Sequence, residues 1–280
     1  MLTVVEQTTE TDREMNLRFA GVCTVCGEEI PKGARAVYSP SSRSVHHTAC
    51  PGLELGAAGA SARREFERRK ARDDARIEAR KANVRATFGD GFIGKVATFL
   101  AVDDSPRRST SVWAQGAVGE ERVAAQLDAL AEVGVIALHD RRIPGTKANI
   151  DHIAVTPWGV WVIDAKRYLN KRPDLVTEGG FLGIGGTDRL TVGGRKQDKL
   201  VDGMLWQLEK VQAVLGETAS ARGILCFVDA DWPLIGGHFS VRGVRVVWPR
   251  RLPKELLQTV PPTIDPDAVG RVLASAFPPA

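Results

Sequence analysis

Residues 150–168 read IDHIAVTPWGVWVIDAKRY. Two runs rich in Ile, Val and Trp flank Pro157-Trp158-Gly159, and this arrangement constrains the fold more than any other stretch of the chain. Two β-rich segments joined by so short a turn predict an antiparallel hairpin. Asp151 enters the first run, and Asp164 and Lys166 close the second. Side chains alternate along a strand, so Asp164 and Lys166 share a face. Antiparallel pairing brings the start of one run beside the end of the other, and Asp151 and Asp164 are expected to meet there. Carboxylates at the ends of buried strands are costly unless they are paired or bound. The triplet Asp-x-Lys alone is a weak pattern, since an Asp at a strand end is often a turn or cap residue.

The surrounding pattern is that of an α/β domain over 112–250. "SVWAQGAVGEERVAAQLDALAEVG" carries Val118, Val123, Leu127 and Leu130 at helical spacing and stops at Gly134. "VIALHD" reads as a strand before the hairpin, "LTVGG" as a short strand after it, "KLVDGMLWQLEKVQAVLG" as an amphipathic helix, and "RGILCFVDA" and "VRGVRVVWP" as later strands. Together they describe a central mixed sheet flanked by helices. "GGFLGIGGTDRLTVGG" lacks both Gly-x-Gly-x-x-Gly and Gly-Lys-Ser/Thr, so it is read as a flexible hairpin and not as a phosphate loop. The Pro-bounded segment 251–280 is expected to be a helical tail without chemistry.

Glu120, early on the first helix of this domain, joins Asp151, Asp164 and Lys166 as a candidate metal site. Hard Mg²⁺ or Mn²⁺ prefers carboxylate oxygens. Such an ion polarises a phosphodiester and acidifies a bound water, and a neighbouring lysine can stabilise the developing charge. His152 falls on the other strand face and reads as a packed or hydrogen-bonded residue. Trp158 and Trp161 read as turn and core packing, with base stacking as the sharper alternative.

The wider segment resembles NERD, the nuclease-related domain of the PD-(D/E)xK endonuclease superfamily. The residues that carry the resemblance are Gly116, Gly119 and Glu120, then Ile150-Asp151-His152, then Gly159 leading to Asp164-x-Lys166 with Arg167 and Tyr168 behind it, over about residues 112–230. The resemblance implies a restriction-endonuclease-like fold and metal-dependent cleavage of nucleic acid, with Glu120, Asp151, Asp164 and Lys166 as its site. It also implies a helical glutamine, for which Gln207 is the best match and Gln197 the competitor.

The N-terminal part differs in kind. Cys23-x2-Cys26, twenty residues, then His47-x2-Cys50 is the ligand set of a tetrahedral structural zinc site. His46 is the alternative histidine. A unit of this size, 19–55, buries too little apolar surface to fold without such a staple. "C-x-x-C-G-x-x-I-x-x-G-x-R" before His-x-x-Cys is similar to fingers of the poly-ADP-ribose-polymerase type, which implies engagement of DNA. Cys226, inside "GILCFV", reads as a core thiol. Residues 1–18 are expected to be a polar, weakly structured leader.

Between the finger and the α/β domain, 56–111 is a charged helical segment and linker. Residues 61–86 hold ten Lys or Arg against five Asp or Glu, whereas the 280-residue chain has a net charge of only +4. The remainder is therefore close to neutral. A local basic run fits a polyanionic partner, nucleic acid, or else a solvated linker helix. No apolar run approaches the roughly 18 residues of a membrane span. The acidic N-terminus does not read as a secretory signal, so a cytoplasmic protein with thiol or metal-bound cysteines is expected. The leading expectation is a metal-dependent nuclease acting on DNA. The alternatives are a DNA-binding sensor that does not cut, and a protein-interaction module tethered by its finger.

Overall fold

The computed structural model describes residues 13–24, 28–40, 43–48, 53–89, 108–179, 186–233, 237–258 and 260–280. The zinc-ligand candidates Cys26 and Cys50 lie outside them.

The N-terminal module is built from five short strands. β1 (Arg13–Asn16), β4 (Arg35–Ser39) and β5 (Ser44–His47) form one antiparallel sheet, and β2 (Gly21–Val22) pairs with β3 (Glu29–Ile30). Its core is only Leu17, Cys23, Ile30 and Ala36. Residues 13–18 were expected in a weakly structured leader, yet they supply β1 and the buried Leu17. Their signal is weak because every β1 side chain is exposed, which leaves no apolar alternation to read.

α1 (Ala60–Phe88) is a long helix with no apolar stripe, as its composition predicts. It packs on α2 (Arg108–Asp128) through an Arg63–Glu121 ion pair and the Arg69 guanidinium over the Trp113 ring at 5.3 Å.

The main sheet contains β6 (Ile136–Arg142), β7 (Asn149–Thr156), β8 (Gly159–Arg167), β12 (Ala221–Val228), β13 (Phe239–Val241) and β14 (Val244–Val247), in the order β13-β14-β12-β8-β7-β6. β8, β12 and β14 are parallel neighbours, and the edges pair antiparallel. Between β8 and β12 the chain makes a small antiparallel sheet, β9 (Pro173–Glu178), β10 (Thr187–Val192) and β11 (Arg195–Lys196), and then helix α3 (Asp198–Leu215). "VRGVRVVWP" is a hairpin and not one strand. Arg242 (φ 50°) and Gly243 (φ 82°) take the left-handed turn that joins β13 to β14.

Both sheet faces are covered. On one, Ile153, Val155, Val160, Val162, Leu225 and Phe227 meet α3 and helix α5 (Pro266–Ala276). On the other, Ala154, Trp161, Ile163 and Cys226 meet α2 and the short helix α4 (Leu252–Leu256). Segment 251–280, expected as a tail, therefore completes the core: Leu252, Leu256, Val269, Leu273 and Phe277 are all buried.

The free edge of β6 is capped by chain from both ends of the protein. The His139 N–H donates to the Leu55 carbonyl at 2.7 Å, and the Arg142 N–H donates to the Pro278 carbonyl at 2.8 Å. Between them Arg141 is fully buried and donates to the carbonyls of Phe277 (2.6 Å), Glu54 (2.8 Å) and Ala274 (2.9 Å). Burial pulls its guanidinium below its ordinary pKa, and these carbonyls hold the charge in place. Arg141→Leu leaves buried acceptors unpaired at about 1–3 kcal/mol each. Urea unfolding is expected to show a loss of about 3 kcal/mol or more, and a loss below about 1 kcal/mol would contradict this role.

Candidate functional site

The turn at 156–159 sets the register of the central hairpin. Thr156 pairs with Gly159, the Thr156 hydroxyl donates to the Gly159 carbonyl (2.9 Å), and the Trp158 N–H donates back to that hydroxyl (3.1 Å). Counting back along the ladder pairs His152 with Ile163, so Asp151 stands across from Asp164. There the backbone ladder gives way to a side chain, since the Asp151 carboxylate accepts from the Ala165 N–H at 2.9 Å. The Lys166 ammonium closes on Asp164 from two residues along the same strand face.

Glu120 reaches this point from α2. Gly119 permits it, since a Cβ at that position would stand 3.3 Å from the Arg167 Cβ. A bifurcated ion pair fixes the approach: Asp229, just past β12, takes Arg122 of α2 and, at 2.7 Å, Arg167 of β8. Those two guanidiniums, the Arg167 hydrogen bond foremost, hold the Asp229 carboxyl below its ordinary pKa. Asp229 thus locks α2 to the end of the strand that carries Lys166.

A fourth carboxylate belongs to the group and was not anticipated. Asp140 lies between the paired residues His139↔His152 and Arg141↔Ile150, across from Asp151, with φ 48°. This kink aims its buried carboxylate at the start of α1, where it accepts from the Ser61 N–H (2.6 Å) and hydroxyl (2.7 Å), and also from the Asn149 amide (3.1 Å). Nothing in "VIALHD" marks Asp140 apart from any other strand-end acid.

The electrostatics show that the acids converge. Burial, then the charges of Asp151 and Asp140, push the Glu120 carboxyl up to about 9. Burial raises Asp164 to about 7, with Lys166 opposing and Asp151 adding to the rise. Burial alone would lower the Lys166 ammonium, but Asp164, Asp151 and Glu120 outweigh it and hold it above its ordinary value. Such a group is what a hard cation would neutralise, and its oxygen donors suit Mg²⁺ or Mn²⁺. Among the described residues, however, no three His, Cys, Asp or Glu side chains stand arranged to hold a metal ion. The positive charge lying against Asp164 is that of Lys166.

Other expected residues are placed as follows. His152 is fully buried on the face opposite the acids, its Nδ1 2.9 Å from His139 Nδ1, while His139 Nε2 lies 2.9 Å from Asp128 Oδ1. Burial, then the neighbouring His139, lowers His152 to about 3, so it is neutral at physiological pH. Trp161 is buried under the Arg222 guanidinium (4.7 Å), and Trp158 Nε1 donates to the Val260 carbonyl at 2.7 Å. Cys226 is a core thiol that burial pushes up.

Gln207 lies on α3 between Met204, which covers Gly223, and Gln212, whose Oε1 accepts from the Ala221 N–H at 2.9 Å. Its Oε1 is buried without a hydrogen bond among the described residues. Gln197 lies at the N-terminus of α3, and its N–H donates to the Leu190 carbonyl. Of the finger candidates, Cys23 is buried and its Sγ accepts from the His47 N–H at 3.4 Å. The first members of the two ligand pairs are therefore neighbours.

The raised carboxyls set the pH dependence of stability. Glu120 binds its proton more tightly in the folded state than at its ordinary 4.5, so the metal-free fold loses stability as pH rises from about 4.5 to about 9. One full proton makes this at most about 1.4 kcal/mol per pH unit. Glu120→Gln is expected to raise the thermal midpoint of metal-free protein at pH 8.5 and to leave it nearly unchanged at pH 4. A midpoint equally affected at both values would refute the placement of Glu120 among the acids.

No curated protein and no solved structure matches the chain. Residues 115–210, from the α2 segment that carries Glu120 through the acid hairpin and most of α3, match the family model of NERD, the nuclease-related domain.

Proposed function

We propose that the chain is a metal-dependent nuclease that hydrolyses phosphodiester bonds in DNA. The observation that carries this reading is the convergence of Glu120, Asp151 and Asp164 around Lys166, inside the segment that matches a nuclease-related family. Asp151 and Asp164 would hold Mg²⁺ or Mn²⁺, with Glu120 completing or positioning its water shell. When bound, the ion would polarise the scissile phosphate and lower the pKa of a coordinated water.

The chain's own groups divide the remaining work. Lys166 keeps its proton at any physiological pH, so it serves as a donor to the attacking water or to charge developing on phosphorus, and not as a base. Asp164, paired here with Lys166, would turn to the ion when one is bound, and the Lys166 ammonium would then be free to face substrate. Glu120 keeps its proton until positive charge arrives, and on ionising it becomes an acceptor for the water's proton. Gln207, half-buried on the helix that covers the sheet face of Leu225 and Phe227, would support the site from α3.

Mg²⁺- or Mn²⁺-dependent cleavage of plasmid and single-stranded DNA by the full chain tests the proposal. Asp164→Ala and Lys166→Ala are each expected to lower the rate by about 100-fold or more. Equal rates in wild type and both variants would sink it. A second reading, a DNA-binding sensor that does not cut, draws on the pairing of Lys166 with Asp164, which already satisfies that acid without metal. It predicts salt-sensitive binding that is indifferent to divalent ions.

In the same proposal, Cys23, Cys26, His47 and Cys50 bind one structural zinc, and the finger and the basic helix α1 help to engage nucleic acid. The contact between Cys23 and His47 suits such a site, since an N–H donated to sulfur stabilises a thiolate. Elemental analysis is expected to find one zinc per wild-type chain and none in Cys23→Ser. Wild-type protein purified without zinc, yet with an unchanged thermal midpoint, would overturn this part.

A further inference from the structure

Outside the acid cluster, a basic cleft of about 440 Å³ lies between the first turns of α1 and the turn joining β6 to β7. Arg64 and Arg68 line it from the helix, Arg142, Thr146 and Lys147 from the turn, and Asn149 from the start of β7. Its one acidic side chain, Glu65, is taken by Arg69 and Arg68, which hold it below its ordinary pKa. Arg64 donates to a main-chain oxygen of Ala280. Among the described residues, Arg142 and Lys147 have no carboxylate within 4 Å, and both are exposed. The Arg142 and Lys147 cations, with the second N–H of the Asn149 amide, form a lining suited to phosphate oxygens.

The cleft and the acids share one strand. Asn149 and Asp151 project from the same face of β7, two residues and about 7 Å apart. Asn149 also donates to Asp140, the carboxylate that anchors the N-terminus of α1. The wall of the cleft is therefore fixed relative to the acids and does not hang from a loose helix.

We propose that this cleft binds the phosphodiester backbone of a nucleic-acid strand immediately beside the phosphate held at the acids. The inference rests on the nuclease reading for what happens at Asp151 and Asp164. It confines backbone contact to the first turns of α1 and the β6–β7 turn, whereas composition distributes charge over the whole helix.

The test is fluorescence anisotropy of labelled single- and double-stranded DNA on the full chain, without added Mg²⁺ or Mn²⁺, across a salt series. Arg142→Ala/Lys147→Ala removes two exposed cleft cations, and an unchanged thermal midpoint confirms its fold. It is expected to weaken binding about tenfold and to reduce the slope of log K against log salt by about two. Arg72→Ala/Arg80→Ala, farther along the same exposed helix, removes equal charge and is expected to change the slope by less than half as much.

Equal effects from the two pairs would overturn the cleft in favour of diffuse attraction. So would an unchanged slope in the cleft variant, absence of binding by wild type, or displacement of DNA by millimolar inorganic phosphate at constant ionic strength. Failure of the two proposals is separable. DNA held through the cleft but never cut with Mg²⁺ or Mn²⁺ overturns the nuclease and leaves the subsite. Cutting that needs Asp164 but has the same KM in the cleft variant overturns the subsite alone.

Discussion

The register of the β7–β8 hairpin is the constraint on which the rest depends. A slip of one residue would send Asp151 to the face now held by His152, among Ala154, Trp161 and Ile163, and would bury a carboxylate in an apolar layer. The Thr156–Gly159 turn prevents that slip by closing the strands through a side-chain hydroxyl as well as the backbone. With the register fixed, Asp151 can capture the Ala165 N–H, and the ladder opens where Asp164 and Lys166 begin. The same feature that interrupts the sheet creates the site. Its cost is visible in the raised carboxyls of Glu120 and Asp164, which resist ionisation in a fold that has already crowded them together.

Asp140 and Arg141 extend this constraint to the rest of the chain. They are consecutive residues on the edge strand and perform opposite tasks. Arg141 points inward and gathers carbonyls from Glu54, Ala274 and Phe277, and so binds both flanking segments to β6. Asp140, turned by its positive φ, points to the start of α1 and caps it through Ser61. A helix without an apolar face cannot dock by hydrophobic burial. α1 is held by this cap, the Arg63–Glu121 pair and the Arg69–Trp113 contact. Its basic character can therefore stay on the surface while its first turn is fixed beside the acids.

What was legible in the sequence is what local rules encode. The hairpin, its turn and the shared face of Asp164 and Lys166 follow from alternation and short-range punctuation. The long charged helix follows from composition. Glu120 is legible as an acid early on a helix, but its approach to the other acids is not, because that depends on Gly119 passing Arg167 and on the Asp229 clamp some 110 residues away in sequence. Asp140 was invisible for a related reason: a left-handed residue inside a strand leaves no mark when it is an ordinary Asp. Periodicity reports which face of α3 is apolar, not where along the sheet that helix comes to rest. The hairpin in "VRGVRVVWP" was missed because Arg242 takes a conformation that arginine rarely adopts.

The position of the cleft also resolves an electrostatic conflict that the acids alone would create. Two unit charges about 7 Å apart at a protein surface interact by about 2 kcal/mol. Each ionised carboxylate thus repels a phosphate at the neighbouring position by an amount of that order. Arg142 and Lys147 line the adjoining cleft with the opposite sign, so they offset repulsion that would otherwise keep a polyanion away from Asp151. Lys166 contributes locally and a divalent cation would contribute further, which makes cation and polyanion binding reciprocally favourable at this face. A cluster of buried acids by itself excludes DNA. The same cluster beside a fixed basic wall admits a phosphate backbone along one direction, from Asn149 toward Asp151, and that direction is set by β7, the strand that carries both.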